Sequence, residues 1–396
     1  MRCLLCNKSK IVEFLDLGRQ PLANKYPATK AEFKTEDFFP LDVFFCKHCK
    51  NVQLGTIVSR ERMFTDYYYL SSVNPGLVRH FTKLAREISG ANFVVDIGSN
   101  DGILLKPLKE LGIKAIGVDP SINVSKIAND AGLPTIVSFF DSATAEMIKT
   151  KHGRPDIVVA SSIFTHVEDP HAFIDDAKIL MADAGKFIIE VEYIGDILQD
   201  ARFERFYLDR VFYYSLTSLK HLFKTHGMRI VDVEKIEPHG GSIRVTVYKN
   251  GYGPAPSRQV RHLLEEERKN LTPFKLKKFR HSIDANLSAF YGKLLEYKKS
   301  HLKVAGYGAP ARVATISNYG KIGPSLIEFI VDDSPLKQNR FSPGTHIPIV
   351  SSSYLKEHNP DVLVIFAYEY FSDIRKKTNN NYKYLLPMPP REINWE

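Results

Sequence analysis

The chain's four cysteines fall into two pairs, Cys3-x-x-Cys6 and Cys46-x-x-Cys49, and none is left over. Each knuckle aims two thiolates at one centre, and together they supply the four soft ligands that tetrahedral zinc prefers. Two disulfides or four ordinary thiols are the alternative, and a reducing compartment and the paired spacing argue against them. Four protein ligands leave no open position for water, so the expected zinc is structural. It would staple a module over residues 1–75 that is too small and loop-rich to fold well alone.

A second concentration of chemistry begins where Phe93–Ile97 reads as a buried strand entering the tight turn Gly98-Ser99-Asn100-Asp101-Gly102. Glycine there lets backbone approach a ligand. Ala115–Asp119 is the next apolar strand and ends in a carboxylate about 20 residues past the turn, where an acid can accept both hydroxyls of a ribose. Phe140 follows the strand at Thr135–Ser138, where an adenine can stack. His166 lies just beyond the strand Asp156–Ala160, at the rim where open α/β sheets bind ligands. That position makes it a candidate acid/base group, although a lone histidine is as often structural. The run Tyr67-Tyr68-Tyr69-Leu70-Ser71 reads either as a strand with a half-buried aromatic face or as the lining of a pocket at a domain junction.

These residues need a scaffold, and the chain alternates strand and helix as a parallel sheet requires, with Lys186–Val191 as a fifth strand. The pattern returns after a charged helical stretch from Ser257 to Lys299, expected to be a solvated strut. Leu302–Tyr307 enters the glycine turn Gly306-Tyr307-Gly308, and a helix follows with proline in its first turn. Its amides and Arg312 form a candidate anion seat. Leu326–Asp333 and Asp361–Ala367 are further strands. The expected class is α/β: a zinc module (1–75), a central Rossmann-like domain (76–255), a helical connector (256–300) and a second Rossmann-like domain (301–396). The net charge of +9 suits an anionic partner, and scattered basic residues with no nucleic-acid motif favour a phosphorylated small molecule over nucleic acid. No apolar run approaches the roughly 20 residues that span a bilayer, and no signal-like segment opens the chain, so no membrane association and a cytoplasmic location are expected. No pattern selects an oligomeric state.

Asp96-Ile97-Gly98-Ser99-Asn100-Asp101-Gly102 resembles the first motif of class I S-adenosylmethionine methyltransferases, with its second glycine displaced, rather than the dinucleotide pattern. Over nearly the whole chain the sequence resembles the sugar C-methyltransferases, which methylate nucleotide-linked keto deoxysugars. The matching stretches are the cysteine knuckles, Pro21–Asn24, Tyr67–Ser72, Asp96–Gly102, Pro238–Arg244, Gly306–Arg312 and Lys337–Ile349. The resemblance implies S-adenosylmethionine and structural zinc as cofactors, and a nucleotide-diphosphate sugar as substrate. Cofactor-binding candidates are then Asp96, Gly98, Ser99, Asn100, Asp119, Pro120, Phe140 and Ser162. Substrate-binding candidates are Tyr67, Tyr69, Ser71, His239, Gly240, Gly241, Arg244, Tyr307 and Arg312; catalytic candidates are His166, Tyr207, Asp209 and Arg210.

The sequence departs from the family in one segment. Where members carry Tyr-His-Glu-His, this chain has Tyr207-Leu208-Asp209-Arg210, and Ser162 stands where asparagine is usual. The last histidine is the family's favoured base, a role that an always-protonated arginine cannot take. Three readings follow. Carbon methylation persists with His166 or Asp209 as base and Arg210 holding the enolate oxygen; or the acceptor is a sugar hydroxyl or amine; or a nucleotide sugar is bound without methylation.

Overall fold

The computed structural model describes residues 1–64, 69–379 and 381–393; Tyr67 lies outside them. The first sheet starts as an antiparallel pair, Ile11–Pro21 with Phe38–Cys46, extended by Val52–Leu54. Both knuckles are tight turns closed by backbone bonds, Asn7 N–H to Cys3 O at 2.8 Å and Lys50 N–H to Cys46 O at 3.0 Å. Asn7 and Lys50 take φ of 52° and 61°, which turns each loop back on itself. The fourth strand of this sheet, Phe212–Tyr213, comes from far along the chain: Val52 pairs with Tyr213 and Gln53 with Phe212.

The central sheet has seven strands in the order Met228–Ile236, Ser242–Lys249, Lys186–Glu192, Ile157–Ser161, Phe93–Ile97, Lys114–Asp119 and Thr135–Val137. The last five are mutually parallel, and Ser242–Lys249 is antiparallel to both of its neighbours. The strand order reverses between Phe93–Ile97 and Ile157–Ser161, which opens a crevice at their carboxyl ends. Phe93–Ile97 is buried along its whole length, as a strand covered by helices on both faces must be. Side-chain caps start the covering helices: Asn74 for Pro75–Glu87, Asp141 for Ser142–His152 and Asp169 for Pro170–Leu180.

The third sheet also has seven strands, with a parallel middle (Pro348–Val350, Ile330–Val331, Val304–Tyr307, Val362–Ile365, Lys383–Pro387) and antiparallel edges at Arg340–Phe341 and Pro390–Ile393. The strand expected over Leu326–Asp333 pairs only at Ile330–Val331. Leu326, Ile327 and Phe329 are nonetheless buried, so burial rather than pairing explains their apolar run.

The expected helical stretch breaks into Arg258–Asn270 and Pro273–Lys299, because Thr272 caps a new helix with Pro273 in its first turn. The long helix is no solvated strut. It buries Leu276, Phe279, Ile283, Leu287, Phe290, Leu294 and Tyr297 at helical spacing. These side chains share one apolar core with Phe14 of the first sheet and Val304 and Val362 of the third. Among the described residues, no helix is long and apolar enough to cross a membrane.

Candidate active site

The zinc ligands come together. Sγ of Cys3 lies 3.6 Å from that of Cys49, and Sγ of Cys6 lies 3.6 Å from that of Cys46. Tetrahedral zinc with Zn–S bonds of about 2.3 Å separates its sulfurs by about 3.8 Å, so the four fit the ion. Three of the four are buried.

A cavity of about 510 Å³ opens at the switch point of the central sheet and is lined by residues of all three sheets' surroundings, from Asn24 and Phe64 through Asp96 and His166 to Arg312 and Lys337. At one end the glycine turn meets Asp119. Its carboxylate accepts Asn100 N–H and Ser121 N–H, each at 2.9 Å, which aims it while leaving lone pairs for two ribose hydroxyls. Gly98 sits at φ +78°, and a Cβ there would lie 2.8 Å from the Ile163 side chain, so the turn requires glycine. Phe140, edge-on to Phe173 at 5.2 Å, lines the same end with Phe139 and Asp141. Asp96 is fully buried; burial first, then the charges of Asp119 and Glu190, push its carboxyl up to about 8.

Asn100 lines the cavity, and its side chain also orders a neighbouring segment. Its side chain accepts from Ser71 N–H at 3.0 Å and donates to Tyr69 O at 3.1 Å, pinning the Tyr69–Ser71 segment over the turn. Tyr69 and Ser71 line the cavity as a result.

At the other end, His166 Nδ1 contacts the Asp209 carbonyl. A carbonyl only accepts, so Nδ1 carries a proton, and in the neutral form of the ring the lone pair lies on Nε2. Phe64 abuts the ring edge-on at 5.3 Å. Tyr207 stands nearby, its phenol held above the usual range by burial and kept as a proton donor, with the Arg210 guanidinium 4.7 Å from its ring centre. Arg210 pairs with Glu192, so its charge is already met.

An alternating ladder of charge continues from there. Glu192 pairs with Arg205 at 3.1 Å, Arg205 with Glu369, and Glu369 with Arg312 at 2.8 Å. Arg205, Arg210 and Arg312 line the cavity. Burial and the neighbouring Arg205 work against the Arg312 charge.

Of the remaining candidates, Pro120 and Ser162 line the cavity. Ser99 packs against Gly117 within the sheet, where a Cβ on that glycine would lie 2.3 Å from its Oγ. Asp209 sits behind His166, its Oδ2 accepting from Asn24 Nδ2 at 2.6 Å. Arg244 is held by Glu190 at 2.7 Å and Glu87 at 2.6 Å. Tyr307 donates to Asp333 at 3.2 Å. Gly240 ends the short helical turn Pro238–Gly240 that contains His239, Gly241 follows it, and a Cβ on Gly240 would lie 2.5 Å from Arg205.

Glu192, Arg205 and Glu369 escape the sequence reading, while Asn24 and Lys337 enter it only within matching stretches and without a site role. Glu192 carried a usable signal, a carboxylate ending a central strand, by the rule that selected His166.

Three family models match in succession: a zinc binding domain over residues 3–64, a methyltransferase domain over 61–233 and a C-methyltransferase C-terminal domain over 237–389. The C-methyltransferase NovU of Streptomyces niveus is 30% identical over 407 residues, spanning 100% of this chain and 97% of NovU. A ubiquinone biosynthesis O-methyltransferase of Rhodopseudomonas palustris (strain BisA53) is 31% identical over 97 residues, 24% of this chain and 38% of its own length. Among solved structures, the magnesium protoporphyrin IX methyltransferase of Synechocystis PCC 6803 with bound S-adenosylmethionine aligns over 44% of this chain and 80% of its own, at 15% identity and a TM-score of 0.34. Full-length identity to a C-methyltransferase, with all three modules matched in order, makes this chain a member of the S-adenosylmethionine-dependent C-methyltransferases that carry an N-terminal zinc-binding module.

Proposed function

We propose that the protein transfers a methyl group to the carbon beside the ketone of a nucleotide-diphosphate-linked sugar, with His166 as base. The observation that carries this reading is the His166 ring, whose Nδ1–H is spent on the Asp209 carbonyl in a cavity shared with Tyr207 and Arg210. S-adenosylmethionine, when bound, supplies an electrophilic methyl on a sulfonium. Asp119 would accept the ribose hydroxyls, and Asp96 and Gly98 would flank the rest of the cofactor. His166 Nε2 takes the proton from the carbon next to the ketone. Tyr207 and Arg210 donate to the enolate oxygen that forms, and Glu192 keeps Arg210 in place. Asp209, behind the ring, serves as its carbonyl anchor rather than as the base.

The phosphorylated half of the substrate suits the C-terminal rim. Pro310, Ala311 and Arg312 open the helix Arg312–Tyr319 toward the cavity beside Lys337, an arrangement that favours anions. A diphosphate there would also relieve the crowding that disfavours the Arg312 charge.

The test is incubation with a panel of nucleotide-linked 4-keto sugars in heavy water. Deuterium is expected to enter beside the ketone without methyl donor, and the donor should then place the methyl on that carbon. Methyl found on oxygen or nitrogen, with no exchange on any substrate, would sink the reading.

A pH dependence follows from Asp96. Burial and the charges of Asp119 and Glu190 push its carboxyl up to about 8, and a bound cation favours the ionised form. Binding of S-adenosylmethionine is therefore expected to release a proton below that pH. Its affinity should rise by up to about tenfold per pH unit between roughly pH 6 and 8 and then level off. Calorimetry in buffers of differing ionisation heat measures this; Asp96→Asn should flatten the dependence, and a flat wild-type profile would refute it.

A further inference from the structure

The loop after the first strand of the zinc-binding module reaches into the catalytic end of the cavity. Asn24 Nδ2 donates to Asp209 Oδ2 at 2.6 Å, joining residues 185 positions apart. Asp209 is the residue whose carbonyl fixes His166 Nδ1. Burial pushes the Asp209 carboxyl above its usual range, and the Asn24 hydrogen bond and the Arg210 charge oppose that push. Asn24 itself also lines the cavity.

The loop is strapped on its far side to the C-terminal unit. Tyr26 OH donates to Ala309 O at 2.8 Å, and Arg340 Nη1 donates to Tyr26 O at 3.2 Å. Lys337 Nζ donates to the same Ala309 carbonyl at 3.0 Å and lies 5.4 Å from the Tyr26 ring centre. Ala309 directly precedes Pro310–Arg312 on the cavity rim. The catalytic segment is held a second time by the same module, through the pairing of Val52–Leu54 with Phe212–Tyr213 and the bond from Leu54 N–H to Val211 O at 2.9 Å.

We infer that Asn24 is a positioning residue for the base: it clamps Asp209 so that the Asp209 carbonyl holds the His166 ring with Nε2 toward the substrate carbon. The inference rests on the reading of His166 as base. The zinc-binding module thereby supplies a working part of the active site, and Tyr26 ties that part to the rim where the substrate's anionic end would dock. A misplacement of the ring by about 1 Å costs on the order of a hundredfold in rate when the reacting geometry is this constrained.

The test compares Asn24→Ala, the isosteric Asn24→Asp, and the double swap Asn24→Asp with Asp209→Asn. Readouts are wild-type-referenced deuterium exchange beside the substrate ketone, the split of kcat against KM, and calorimetric affinity for S-adenosylmethionine as a control for folding. Both single variants are expected to lose roughly 10–100-fold in kcat and in exchange rate, with the sugar KM and the cofactor affinity within about twofold. The swap restores one N–H···O bond at the same place with its polarity reversed, and is expected to recover most of that loss. Single variants that exchange at wild-type rate would overturn the inference. So would a rise in KM with kcat intact, which marks a substrate contact, or a swap that recovers nothing, which gives the Asp209 carboxylate a direct role. If the wild-type protein itself fails to exchange, it is the reading of His166 that falls, so the two failures are distinct.

Discussion

Replacing His166 with alanine is expected to lower turnover by roughly a hundredfold or more and to slow solvent exchange beside the ketone by the same factor. Three features make the effect large. The ring stands just past the carboxyl end of the strand Ile157–Ser161, on the rim of the cavity. Its Nδ1–H is committed to the Asp209 carbonyl, so one tautomer is selected and Nε2 holds the lone pair. The nearest alternatives do not serve: Asp209 is occupied by Asn24 behind the ring, and Arg210 stays protonated against Glu192. His166→Gln separates geometry from basicity. The amide can still reach a backbone carbonyl but cannot take a proton, so this variant should be as slow as alanine. Calorimetry should show unchanged affinity for S-adenosylmethionine in both. Steady-state turnover within about twofold of wild type in either variant would remove His166 from the base position.

Loss of the zinc is expected to abolish turnover while sparing the cofactor site. Cys49→Ser removes a buried thiolate that faces Cys3 across 3.6 Å, and three remaining ligands bind the ion far more weakly. The module then loses the turn that sets the end of Phe38–Cys46 and the start of Val52–Leu54. That last strand is the partner of Phe212–Tyr213, so the Tyr207–Arg210 segment loses its seat, and Asn24 loses its position in the same event. Turnover should fall by about a hundredfold or more. The first unfolding transition should drop by roughly 5–10 °C, as the loss of several kcal/mol implies. Asp119 and Gly98 are held by bonds within the central sheet and its turn, so affinity for S-adenosylmethionine should stay within about threefold of wild type. Metal analysis, melting curves and calorimetry on one preparation decide this. Full turnover in protein shown to lack zinc would refute it.

The two glycine turns, the strand–helix alternation and the cysteine knuckles were legible in the sequence because each is a local pattern. A thiolate pair three residues apart, a turn that admits only glycine and an apolar run ended by a carboxylate specify their geometry over a few residues. The packing of the long helix is not legible in the sequence, for the opposite reason. Its charges are dense, yet its seven buried apolar side chains lie at helical spacing and find two different sheets to cover them. The same limit applies to Arg244, a substrate candidate through the resemblance of Pro238–Arg244, whose partners Glu190 and Glu87 lie far away in sequence.

By itself the sequence determined the four-cysteine cluster, the glycine turn with Asp119 at the end of the next strand, and the position of His166 at a strand end, since these follow from spacing along one stretch of chain. Only the tertiary structure decided which tautomer His166 holds, that Glu192 neutralises Arg210, that Asn24 braces Asp209, and that Phe212–Tyr213 completes the zinc module's sheet. Each of those is a contact between segments that no local periodicity relates. A charge or an amide finds its partner only when separate sheets pack and bury it, and the cost of burying it unpaired is what makes the pairing specific.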